Sequence, residues 1–106
     1  MNEYLTEAEK QTLLRLAREA LESSVRGKDL PPVDPAALTP LLRAEGASFV
    51  TLSMHGQLRG CIGALQPYQP LYEDVREHAV AAALQDTRFS PVRPSELAHI
   101  NIEVSR

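Results

Sequence analysis

Two short runs of alternating residues, joined by His55-Gly56, constrain this chain more than any other feature. Phe49, Thr51 and Ser53 alternate with Val50, Leu52 and Met54, which is the period of a half-buried strand. After His55-Gly56 a second β-like run, Gln57 to Ile62, returns. Gly56 can take the positive φ that a tight hairpin needs. The spacing therefore predicts antiparallel strands over about Ala47 to Met54 and about Gln57 to Ile62.

The second arm carries Leu58-Arg59-Gly60-Cys61-Ile62-Gly63, which holds the single cysteine of the chain between two of its glycines. In a strand, successive side chains alternate faces, so Arg59 and Cys61 point one way and Leu58, Gly60 and Ile62 the other. A guanidinium on the face of a thiol favours the thiolate, the reactive form. Glycine inside a strand marks a bulge or the close approach of another backbone or ligand. The same residues also describe a buried cysteine beside packing glycines. Residue types leave both readings open.

Around the hairpin the chain reads as helices and loops. Thr6-Glu7-Ala8-Glu9 is a capping box, and Leu13, Leu16, Ala17, Ala20 and Leu21 recur behind it at helical spacing. A helix from about Thr6 to about Ser24 follows, stopped by Gly27. Lys28 to Pro40 contains Pro31, Pro32, Pro35 and Pro40 and reads as an extended connector, with one helical turn over about Ala36 to Leu42. Pro67, Tyr68 and Pro70 mark a loop, and Pro70 suits the start of a second helix with Leu71, Val75, Ala79 and Ala82 as its stripe. The small side chains of Ala79 to Ala83 let that helix lie close against a sheet. Asp86 to Pro94 is a loop, Ser95-Glu96-Leu97 one helical turn, and Ile100, Ile102 and Val104 alternate as a last strand. Strands and helices mix without a regular βαβ rhythm, so the class is α+β: an antiparallel sheet built on a β-hairpin and packed with two main helices.

At 106 residues the chain is one domain, large enough for its own core. A net charge of −3 without a basic block gives no support for nucleic-acid binding. The lone cysteine cannot close an internal disulfide, and Asn2, Glu3 and the charged segment after them make no signal peptide, so the reading is cytoplasmic. No apolar run reaches the ~18 residues of a membrane span. The glycines around Cys61 form no phosphate loop. Cys61, His55, His78 and His99 show no recognised ligand spacing, so neither metal nor cofactor is expected. His78, one turn after Asp74, is expected to form a surface pair, and His55 to be a turn residue. Asp86-Thr87-Arg88-Phe89 either caps the second helix or uses Asp86 to orient an arginine toward an anionic ligand.

Together, Phe49-Val50-Thr51-Leu52, the hexad Leu58 to Gly63, Asp86-Thr87-Arg88-Phe89 and Ile102-Glu103-Val104-Ser105 resemble the AMMECR domain, known in prokaryotes as protein A of the AmmeMemoRadiSam system. The resemblance covers nearly all of the chain. It implies an α+β fold with an antiparallel sheet, a smaller second lobe, and the hexad in a groove near their meeting. It also implies links to a Memo-type protein and a radical S-adenosylmethionine enzyme. On that basis the chain is expected to be an accessory enzyme or substrate-binding component of a modification system. Cys61 is the candidate nucleophile and Arg59 its thiolate stabiliser; Gly60, Gly63, Asp86, Arg88 and Phe89 are binding positions. The alternative is a non-catalytic interaction module whose hexad is a packing motif. The family's domain runs longer than 106 residues, so the chain is expected to correspond to its front part. Ile100, Ile102 and Val104 would then be uncovered, leading to self-association or docking of a second polypeptide.

Overall fold

The computed structural model describes residues 4–106; the N-terminal Asn2 and Glu3 lie outside them. The first helix, α1, spans Glu7–Val25 and is fixed at its start by the capping box. The Glu9 amide donates to Thr6 Oγ1 at 3.1 Å, and the Thr6 amide donates to Glu9 Oε1 at 2.8 Å. Glu9 also accepts from the Thr39 hydroxyl, so one carboxylate starts the helix and ties the connector to it. Leu13, Leu16, Ala17, Ala20 and Leu21 are the buried face. Gly27, at φ 72°, turns the chain away.

The single helical turn expected over Ala36 to Leu42 is instead two pieces. A 3-10 turn covers Pro35–Ala37, capped by Asp34, and a short helix α2 covers Pro40–Arg43. Pro40 is the physical reason: the residue before proline is pushed out of the helical region, and Thr39 sits at φ −71°, ψ 160°.

The hairpin forms as the alternation requires. β1 (Phe49–Met54) and β2 (Gln57–Gly63) pair antiparallel with Met54 opposite Gln57. His55 and Gly56 take φ 53° and 77°, the two successive left-handed residues of a hairpin turn whose twist matches the strands. Leu52 faces Gly60 but Ser53 faces Leu58, so the ladder slips by one and leaves Arg59 unpaired, a β-bulge. After the loop, α3 (Leu71–Leu84) crosses behind the sheet. A 3-10 segment, Pro94–His99, then leads into β3 (Ile100–Ser105), which pairs antiparallel with β1 to give the order β2-β1-β3.

The result is an α+β, two-layer arrangement. α1 and α3 cover one face of the sheet, and Leu13, Leu21, Val50, Leu52, Leu71, Val75 and Ala79 form the core between them. Arg18 fastens the layers where α1 meets β3, donating to the carbonyls of Leu97 at 3.2 Å and Ile100 at 2.6 Å. By strand alternation the opposite face presents Thr51, Ser53, Cys61, Asn101, Glu103 and Ser105. The apolar side chains of β3 are packed on the core, not uncovered as expected. Ile100 is buried, and Ile102 and Val104 pack against the core, because α1 lies across this strand.

Candidate functional site

Cys61 is half-buried and free. Its amide donates to Asp86 Oδ2 at 3.0 Å and so points away from β1. That makes Thr51 and Cys61, which face one another across the strands, a pair of the non-hydrogen-bonded kind, in which side chains stand closest. Their Oγ1 and Sγ atoms are 3.1 Å apart.

Asp86 joins this pair to the loop after α3. Its carboxylate accepts from Arg88 Nε at 3.0 Å and Nη2 at 2.7 Å, from the Arg88 amide at 3.1 Å, and from Cys61. Arg88 and then the Cys61 amide hold the Asp86 carboxyl well below the usual carboxylate range. Arg88 is raised above its usual value, chiefly by Asp86, with a further contribution from Cys61. Its guanidinium lies 5.5 Å from the centre of the Phe89 ring, within cation–π range. Cys61, Asp86, Arg88 and Phe89 are therefore linked through one carboxylate and one guanidinium.

Arg59 is not placed with them. From the bulge it reaches Glu96 through Nε and Nη2 at 2.9 and 3.0 Å, and the carbonyls of Ser90 and Pro91 at 2.9 and 3.3 Å. Strict alternation, which put Arg59 beside the thiol, fails where the ladder slips. The two glycines are packing positions. A Cβ on Gly60 would lie 2.1 Å from the carbonyl oxygen of Ala82, and one on Gly63 would lie 2.3 Å from the Phe49 ring. Cys61 Sγ therefore has Thr51 as its side-chain partner, and no histidine stands in hydrogen-bonding contact with it among the described residues.

A polar cluster that sequence reasoning missed lies on the helix side of the sheet. Asp74 and His78 form a buried pair at 3.1 Å, not a surface one. Ser48 Oγ donates to Asp74 Oδ2 at 2.7 Å and sits 3.3 Å from His78 Nδ1. The signal was available: at helical spacing Asp74 and His78 flank the inward stripe of Leu71, Val75 and Ala82. Ser48 is fully buried and so cannot meet a substrate as a nucleophile. At the other end of the sheet, the rings of His55 and His99 lie 5.3 Å apart, so the hairpin tip packs on the segment before β3.

Three carboxylates, Glu9, Asp86 and Glu96, are held below their ordinary values, by Thr39, Arg88 and Arg59 respectively as the first cause. A carboxyl depressed in the folded chain takes up its proton more readily when unfolded. The stability it confers is complete above its unfolded pKa, about 4, and is lost as pH falls below that. Urea midpoints should be steady from about pH 7 to 5 and drop from about pH 4.5 downward. Asp86→Asn should lower the plateau and flatten the drop; an unchanged acid limb would remove Asp86 from this role.

A two-layer α+β domain with its lone cysteine on the sheet face opposite the helices, anchored through Asp86 to the end of α3, defines the class of protein. Residues 14–106 match the AMMECR1 family model, and the chain belongs to that family. A protein of Methanothermobacter thermautotrophicus is 44% identical over 102 residues, covering 95% of this chain and 52% of the relative. One from Methanopyrus kandleri is 44% identical over 112 residues, covering 99% and 51%. The crystal structure of an uncharacterised protein from Pyrococcus horikoshii superposes with a TM-score of 0.86 at 34% identity, over 95% of this chain and 52% of that one. The chain thus spans about half the length of the relatives it matches. The second lobe implied by the resemblance is not among the described residues.

Proposed function

We propose that this chain is a binding component of a modification system, of the radical S-adenosylmethionine-linked kind the resemblance implies, and that the polar sheet face around Cys61 receives its partner or substrate. One observation carries this reading. Arg59, Gly60 and Gly63 hold β2 in place, whereas Cys61 is half-buried and its sulfur, among the described residues, is hydrogen-bonded only to Thr51. A site with an anchored floor and no general base suits recognition better than covalent chemistry. Asp86, Arg88 and Phe89 form its rim, with Arg88 offering an anion a donor beside an aromatic face. The Memo-type protein and the radical enzyme are the partner classes of this proposal. The outer edge of β3, hydrogen-bonded to β1 on one side only, adds a place where a second polypeptide or a second copy can extend the sheet.

The nucleophile reading keeps one observation in its favour: the Asp86 carboxylate that accepts from the Cys61 amide also holds the Arg88 guanidinium. Iodoacetamide kinetics at pH 7 separate the two. As a recognition face, Cys61 should react no faster than a free thiol of pKa about 8.5, and Cys61→Ser should leave partner capture intact. A rate several-fold above a free thiol, slowed by Arg88→Met, would establish the nucleophile instead. Sedimentation at low micromolar concentration tests the β3 edge: self-association that grows with concentration supports it, and a concentration-independent monomer that captures no partner excludes it.

A further inference from the structure

The outer edge of β3 is closed at Ile100 and open at Ile102 and Val104. The Cys61 amide turns away from β1 to reach Asp86, so the backbone groups of Thr51, its partner in β1, face β3, where Thr51 pairs with Glu103. Along an antiparallel strand, successive residues direct their amide and carbonyl to opposite sides. Glu103 therefore bonds inward to β1, and Ile100, Ile102 and Val104 direct theirs to the outer edge. Those of Ile100 are satisfied: its amide donates to the Leu97 carbonyl, and its carbonyl accepts from Arg18 at 2.6 Å. Those of Ile102 and Val104 meet no strand or loop among the described residues. The edge also lacks the devices that usually close one, for β3 carries no lysine, proline or bulge.

A second, independent observation lies beside the same two residues. A cleft of about 200 Å³ opens between α1 and β3, lined by Leu5, Leu13, Leu14, Ile102 and Val104. No β1 residue borders it, which places it toward the open edge. Its volume is that of several waters at about 30 Å³ each, room for an aliphatic side chain. Glu7 and Lys10 stand at its rim, one turn apart on α1, and offset each other in charge. Glu103, on the opposite face, is exposed and has no ion-pair partner among the described residues.

These features decide what an added strand must carry. Residues opposite Ile102 and Val104 share their face, toward α1 and the cleft, and the residue between them stands opposite Glu103. A second copy of this chain fits poorly. When two β3 strands run antiparallel with both free positions paired, Ile102 meets Val104 and Glu103 meets its own copy. That pair is of the close, non-hydrogen-bonded kind, where like charges repel. We propose that the outer edge of β3 takes an extended segment of a partner polypeptide, with apolar residues at two alternate positions and a lysine or arginine between them. This rests on the β3 edge as a docking place and adds which partner it selects. Main-chain bonds to Ile102 and Val104 supply affinity, and the cleft and Glu103 supply selection.

An end-blocked, dye-labelled peptide of sequence Ser-Thr-Val-Lys-Leu-Thr-Ser is the probe, read by anisotropy, with amide hydrogen exchange to locate it. Expected are saturable binding and slowed exchange at the Ile102 and Val104 amides. Glutamate in place of the peptide's lysine should weaken binding about fivefold, and Glu103→Lys should reverse that preference. N-methylation of the peptide's two apolar residues should abolish binding. Leu14→Gln should weaken it about tenfold with the urea midpoint unchanged. Leu65→Ser, at an exposed leucine outside the cleft, should bind as the parent does. Equal binding of the lysine and glutamate peptides, with the two amides slowed, would leave the edge standing and overturn the partner's chemistry. Self-association that slows the same amides without peptide would make a second copy the occupant and overturn it too. A monomer that binds neither peptide would remove the edge itself.

Discussion

Gly60→Ala is expected to destabilise the fold by about 3 kcal/mol, the upper part of the range for overpacking a well-packed contact. The added Cβ would meet the carbonyl oxygen of Ala82 at 2.1 Å. That atom is backbone in the last turns of α3, so no side-chain rotation relieves the clash. Either β2 lifts from the helix or α3 shifts along the sheet, and both moves disturb the amide of Cys61 where it reaches Asp86. Gly56→Ala is the matched control. Its φ of 77° strains an alanine, but nothing lies within 4 Å of the new atom, and a cost of about 1 kcal/mol is expected from conformation alone. Urea denaturation of both variants, with iodoacetamide rates as a second readout, measures the difference. Equal costs would mean that β2 and α3 are free to separate and that Gly60 is a conformational, not a packing, glycine.

The parts of this structure that were legible in the sequence are those governed by local periodicity. The hairpin followed from the alternation of Phe49 to Met54 and the His55-Gly56 turn, α1 from its capping box, and β3 from Ile100, Ile102 and Val104. Two misplacements came from interactions between elements distant in sequence. The bulge at Arg59 is a property of the β1–β2 ladder, so alternation within one strand could not reveal it. It carried Arg59 away from Cys61 and onto the segment before β3. Asp74 and His78 were read as a surface pair because charged residues one turn apart usually are. Their burial depends on Ser48, a residue 26 positions from Asp74 in sequence, supplying a hydrogen bond that makes burial tolerable. The small residues of α3 were correctly read as permitting close approach, and Gly60 against the Ala82 carbonyl is one place where it occurs.

Arg59→Met is expected to cost about 2–3 kcal/mol while leaving the alkylation rate of folded Cys61 unchanged. The guanidinium side chain is 11% exposed and its Glu96 partner 21%, so the pair is well shielded. Removing one partner of a buried pair costs about 3–5 kcal/mol, reduced here because solvent still reaches the Glu96 carboxylate. The loss is not only of charge. Methionine fills the stem but leaves the Ser90 and Pro91 carbonyls without their donor, and the lowered pKa of Glu96 relaxes upward once Arg59 is gone. Arg59→Lys should recover part of the stability, since a single ammonium cannot reproduce the two-pronged contact with Glu96 together with both carbonyls. Loosening should concentrate between Ser90 and His99, read as faster amide hydrogen exchange there than in α1. Arg88→Met, which removes the guanidinium held by Asp86, should not bring a stability loss of this size. A slowed thiol in Arg59→Met, with urea midpoint intact, would return Arg59 to the side of Cys61 and make the hexad a reactive site, not an anchor for the loop before β3.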